Sequence, residues 1–200
     1  MEKLVFEVKN NDFVKLGDAS FNIRLSHKID PSSFIEIFDR IADNFHFWIT
    51  EELYKRISIR ETTWHGKKTK AEVAFVISDI VDFFIDCNFL LDKGIDIDVL
   101  FKEFRNSGNY DEFRHCCSLS FLTSTYALNG DTNIKFLGGP DFAINEIPAE
   151  LKVIHQLDWE KRFDERGVDK FSSYLYEDLC YDIGQTIRNR LAEGIKQSAE

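Results

Sequence analysis

Gly138-Gly139-Pro140-Asp141-Phe142-Ala143-Ile144-Asn145-Glu146-Ile147-Pro148-Ala149-Glu150-Leu151-Lys152-Val153-Ile154 is the stretch whose reading decides the fold. Two short apolar runs flank Asn145-Glu146-Ile147-Pro148, which has the composition of a turn, so the stretch reads as a β-hairpin. Asp141 opens the first strand, expected over 141–145. Alternation over 149–154 puts Glu150 and Lys152 on one face of the second strand and Ala149, Leu151 and Val153 on the other. Such a strand is half-buried, and its polar face carries an acid and a base.

Two carboxylates and a lysine on adjacent strands suit phosphoryl chemistry. Carboxylate oxygens bind Mg²⁺, with water and substrate phosphate completing the shell. The metal polarises the phosphoryl oxygen and lowers the pKa of bound water. Lys152 can orient that water or stabilise the charge growing at phosphorus. At these residues the chain resembles the PD-(D/E)XK nuclease superfamily, the restriction-endonuclease-like fold. The match is Pro140-Asp141, eight intervening residues, then Glu150-Leu151-Lys152. The tripeptide pattern alone also occurs at Glu7-Val8-Lys9. The upstream Pro-Asp, the hairpin and the order of elements single out residues 150–152.

The resemblance implies a helix at 110–128, strands at 133–137, 141–145 and 149–154, and a second helix at 170–195. It implies metal-dependent hydrolysis of phosphodiester bonds in DNA, less often RNA, with Mg²⁺ as cofactor and Mn²⁺ as a substitute. By analogy Asp141, Glu150 and the Leu151 carbonyl hold the metal and Lys152 is the catalytic lysine. Glu112, on the helix before the strands, is the candidate further ligand. Gln185 and Tyr181 correspond loosely to polar residues that some members carry on the second helix. The family's fourth core strand has no counterpart after residue 195.

Outward from this core, residues 4–8 and 21–25 read as strands, the second by alternation. Asp30-Pro31 starts a helix, as N-cap and first position. Phe34, Ile37, Phe38, Ile41, Phe45 and Trp48 form its apolar stripe. Residues 50–60 read as helix passing into a strand at 56–60. Lys70 to Leu91 reads as one helix with Val73, Ile77, Ile80, Val81 and Phe84 buried. Asp79, Asp82 and Asp86 fall on its other side, where a solvated face is favoured over a metal site. Residues 97–104 form a short helix, and Asn106-Ser107-Gly108-Asn109 marks a boundary. It separates an N-terminal strand and helix elaboration, 1–105, from a nuclease-like core, 106–200. The two can also form one compact domain. The fold class expected is mixed α/β, with a central mixed sheet flanked by helices.

Between Lys55 and Lys70 the charge changes sign: Lys55, Arg56, Arg60, Lys67, Lys68 and Lys70 meet only Glu61. A solvated loop is the plainer reading. The functional one is contact with a nucleic-acid backbone through Lys67, Lys68 and Lys70, with Trp64 available for stacking.

The 200 residues carry a net charge of −10, so any nucleic-acid contact must rest on a local basic surface. Forty-four per cent apolar content with nineteen Phe supports a large aromatic core. The four Cys show no zinc spacing and read as reduced thiols of a cytoplasmic protein. The five His form no ligand spacing either, although His155 follows the lysine strand closely. Glu2 and Glu7 argue against a secretory leader, and no apolar run spans a membrane. The rival class is non-enzymatic: an immunity or inhibitor protein whose acidic face masks a basic protein partner, or an inactive nuclease fold kept for binding. A homodimer is compatible with either class.

Overall fold

The computed structural model describes residues 2–64, 67–73, 76–130, 133–138 and 141–151. Lys152, His155, the expected helix at 170–195 and its Gln185 and Tyr181 lie outside the described residues. The fold is mixed α/β, with six helices and three small sheets among the described residues. Every strand pairing among the described residues is antiparallel.

Strands β1 (Phe6–Lys9), β2 (Phe13–Leu16) and β3 (Ala19–Asn22) form a meander. The alternation at 21–25 predicts a strand, yet α1 (Ile23–His27) begins there. Asn22 accepts a hydrogen bond from the Leu25 N–H at 3.0 Å and caps a short helix. Helix α2 (Pro31–Phe45) starts as its sequence requires. Asp30 accepts from the Ser33 N–H at 3.0 Å, and Pro31 sits where no donor is needed. Helix α3 (Glu51–Ile57) is capped by Thr50.

The chain then forms β4 (Ile59–Trp64) and β5 (Lys67–Glu72), paired only with each other among the described residues. Lys70 to Glu72, expected to open a helix, instead belong to this ribbon. All six β5 residues are exposed, so they lack the period-two burial that marks a strand in sequence. Helix α4 (Val76–Asp92) follows, then α5 (Asp98–Asn106) and α6 (Tyr110–Leu128). Strands β6 (Ile134–Phe136), β7 (Phe142–Ile144) and β8 (Ile147–Ala149) follow α6.

One buried cluster runs from Phe6 to Phe142 and takes residues from both sides of the 105/106 boundary. Its centre is aromatic. Phe83 stacks on Phe104 at 4.4 Å between centroids, and Phe104 meets Phe113 of α6 at 5.4 Å. Phe38 reaches Phe84 at 5.0 Å, tying α2 to α4. Among the described residues no helix is long and apolar enough to cross a membrane.

The face carrying Asp79, Asp82 and Asp86 is only partly solvated: Asp82 is exposed, whereas Asp79 and Asp86 are half-buried. Asp79 accepts from the Tyr110 hydroxyl at 3.1 Å, and Asp82 pairs with His27 at 3.1 Å. Asp86 accepts from Ser120 of α6 at 3.3 Å. Burial against α6 pushes the Asp86 carboxyl up to about 6, and burial also raises Asp79 and Asp82. A carboxyl raised in the folded state destabilises the fold once ionised, so its contribution worsens as pH climbs from about 4 through about 6. Asp86→Asn, which keeps an acceptor for Ser120, is therefore expected to stabilise the protein at pH 7.5 by about 1–3 kcal/mol. The gain should shrink at pH 5. Urea unfolding at the two pH values checks this; a variant no more stable than wild type at pH 7.5 would contradict it.

Candidate active site

Helix α6 fixes the first wall of the site. Asn109 accepts from the Glu112 N–H at 3.0 Å, while Glu112 accepts from the Gly108 N–H at 2.7 Å and from the Asn109 side-chain amide at 2.8 Å. This is a reciprocal cap that pins the helix start. It also occupies both Glu112 oxygens, which explains an acid at this position without a metal.

The hairpin supplies the second wall. Its turn is tighter than the sequence suggests: Asn145 and Glu146 alone make it, with φ of 51° and 70°. Two left-handed residues in a row match the twist of the flanking strands. Ile147 and Pro148 join β8, whose outer position in the order β6-β7-β8 tolerates a proline. The strand expected over 149–154 therefore starts earlier and ends at Ala149, leaving Glu150 and Leu151 just beyond it.

Phe142 pairs with Ala149, so Asp141 and Glu150 occupy the next positions on the two chains. The Leu151 N–H donates to Asp141 Oδ2 at 2.6 Å and clips the hairpin ends together. On its other side Asp141 Oδ1 meets His115 Nε2 at 3.2 Å, with Asp141 only 16% exposed. The hydrogen bond to Asp141 raises the His115 pKa, and the charges of Glu103 and Glu150 add to it. The imidazole thus keeps its proton to higher pH than an ordinary histidine. Burial raises Glu103 as well, and the Asp141 charge reinforces that rise.

Glu103, His115 and Asp141 open onto a cavity of about 530 Å³ between α5, α6 and the residues before β7. Lys102, Glu103, Glu112, His115, Gly138 and Asp141 line it. Cys116 sits beside them, its thiol pushed up to about 12 by burial. Among the described residues, Glu150 follows the partner of the residue after Asp141, and Leu151 is bonded to Asp141 through its amide. Glu112 lines the same cavity but is committed to the helix cap.

His115 and Glu103 were missed by sequence reasoning. His115 sits four residues after Asp111 and three after Glu112, the helical spacing that puts side chains on one side. That signal was present, but nothing local to residue 115 points to Asp141, twenty-six residues away.

The donor set can be tested against a divalent cation. Asp141, Glu150 and the Leu151 carbonyl are hard oxygen donors, as Mg²⁺ requires. Asp141 Oδ1 is engaged by His115 and Oδ2 by the Leu151 N–H. No group of three His, Cys, Asp or Glu among the described residues is set to hold a metal ion. Mg²⁺ is commonly held by one or two carboxylates with water and substrate phosphate, so two acids and a carbonyl fit it.

Lys67, Lys68 and Lys70 lie on the exposed β5 strand, and the Trp64 backbone pairs with Lys67 on β4. The ribbon's root borders a second cavity of about 580 Å³, lined by Lys55, Arg56, Arg60 and Lys70 on one side and by residues 108–111 on the other. Arg60 pairs with Asp111 at 3.6 Å. Compared with known proteins, the chain matches no family model, no curated protein and no solved structure.

Proposed function

We propose that this chain is a metal-dependent nuclease with a restriction-endonuclease-like core, hydrolysing phosphodiester bonds in DNA. One observation carries the reading: Asp141 and Glu150 stand next to the last paired residues of the hairpin, one on each chain, and the Leu151 amide is bound to Asp141. Asp141, Glu150 and the Leu151 carbonyl would hold Mg²⁺ or Mn²⁺, and Lys152 follows directly in sequence. The metal, when bound, polarises the scissile phosphate and acidifies water. His115 contacts Asp141 and helps to orient that carboxylate, and the contact favours the protonated imidazole. Lys102 adds a cation to the rim of the same cavity.

A second reading keeps the fold and drops the metal. Both Asp141 oxygens have protein donors, as a purely structural carboxylate would. The chain would then be an acidic binding protein for a basic protein partner, consistent with its charge of −10.

Incubation with plasmid, linear and single-stranded DNA in Mg²⁺ or Mn²⁺ separates the two. The nuclease reading expects cleavage that stops with EDTA. It also expects a melting midpoint that rises with Mg²⁺, because an ion bound only by the folded chain stabilises it. Neither cleavage nor a Mg²⁺-dependent midpoint would leave the binding reading in its place.

A further inference from the structure

We infer that the β4–β5 ribbon is a grip for duplex DNA, seated in a groove and holding the duplex across the acid site. The inference rests on the proposed DNA substrate and adds its form, double-stranded, and its mode of capture.

The first argument is exposure. A strand on a core alternates buried and exposed residues, whereas all six residues of β5 are exposed. The ribbon touches the body at its root: Val73 N–H donates to Ser58 O at 2.8 Å, and Arg60 meets Asp111. Two-stranded ribbons are only marginally stable in water, so an occupant that orders the exposed β5 strand is a natural complement.

The second argument is charge and size. Lys68 and Lys70 share one face of β5, and Lys67 lies on the other. Lysines on an open edge also guard against strand pairing. That role explains a row of charge but not cations gathered on both faces of an otherwise acidic chain. Six residues extend about 20 Å, and paired strands lie about 5 Å apart. The major groove, about 12 Å wide, admits such a ribbon and has phosphates along both walls.

The third argument is position. Arg60 at the root meets Asp111, and Asp141 meets His115. Residues 111 and 115 are four apart on α6, so they face one side and stand about 6 Å apart along the helix. The ribbon's root and the acid site thus border the same helix about one turn apart, so a duplex held at the root would have Asp141 within its reach.

The test is fluorescence anisotropy with a 25-base-pair duplex and its single strand in EDTA, across a salt series. Wild type and Lys67→Gln/Lys68→Gln/Lys70→Gln are compared, with thermal melts to establish that the variant folds. Wild type should prefer the duplex. The variant should lose at least about tenfold in duplex affinity at low salt, and its log–log salt slope should fall by about 2–3 as three phosphate contacts are lost. Equal affinity for single strand and duplex, tighter binding to an RNA duplex, or an unchanged slope would overturn the grip, even if plasmid is cut in Mg²⁺. Ribbon-dependent duplex binding without any cutting would leave the grip standing and remove the nuclease reading.

Discussion

Asp141→Asn is expected to lower Mg²⁺-dependent DNA cleavage by at least about a thousandfold, which corresponds to roughly 4 kcal/mol of transition-state stabilisation. The fold should survive. Asparagine retains a carbonyl oxygen for the Leu151 N–H, and its amide can donate to a neutral His115 at the position of Oδ1. Removing one of two neighbouring carboxylates also relieves their repulsion, so the melting midpoint should stay within about 4 °C of wild type. The variant should lose the Mg²⁺-dependent rise in that midpoint. Timed plasmid cleavage and melts with and without Mg²⁺ measure both effects. Glu150→Gln, beyond the last pair of the hairpin, gives an independent variant in which the same loss is expected. Full activity in either variant would remove these carboxylates from the mechanism.

The largest stability effect should come from Phe104→Ala. Phe104 is fully buried, stacked on Phe83 and in ring contact with Phe47 at 5.3 Å and Phe113 at 5.4 Å. Truncation removes apolar burial and leaves a cavity among rings held by several elements, at a cost of about 3–5 kcal/mol. That is a large share of the 5–15 kcal/mol that holds a typical protein folded. A urea midpoint that falls with an unchanged slope is the expected signature. A loss below about 1 kcal/mol would show that the aromatic centre repacks, contrary to the close contacts described.

Elements with local chemistry were legible in the sequence. Asp30-Pro31 marks a helix start by its own side chains, and the structure has a helix there. The Asn145 turn was legible in kind but not in length. Ile147 and Pro148 look like loop residues until an edge strand accommodates them. The ribbon was hidden for the opposite reason, since β5, exposed along its whole length, has no burial period to read. The short α1 was misread as a strand because five residues of alternation also fit a capped helical turn. At the site, Asp141 and Glu150 were found through the hairpin that joins them. His115 and Glu103 were not, because only packing of α5 and α6 against the hairpin brings them near Asp141. Asp86 shows the same limit: helical spacing gave its side of α4 but not the helix that covers it.

The ribbon's attachment has a consequence for how such a chain can change. Its two ends are joined at the base by the bond from Val73 to Ser58, and none of the described side chains on β5 belongs to the buried cluster. Core positions are bound to one another by volume, so they vary together or not at all. The ribbon is free of that coupling. Its length and composition can diverge, or a different hairpin can be grafted between Ser58 and Val73, without a demand on the aromatic centre. Stability and partner choice therefore sit on separate parts of the sequence and can be altered one at a time.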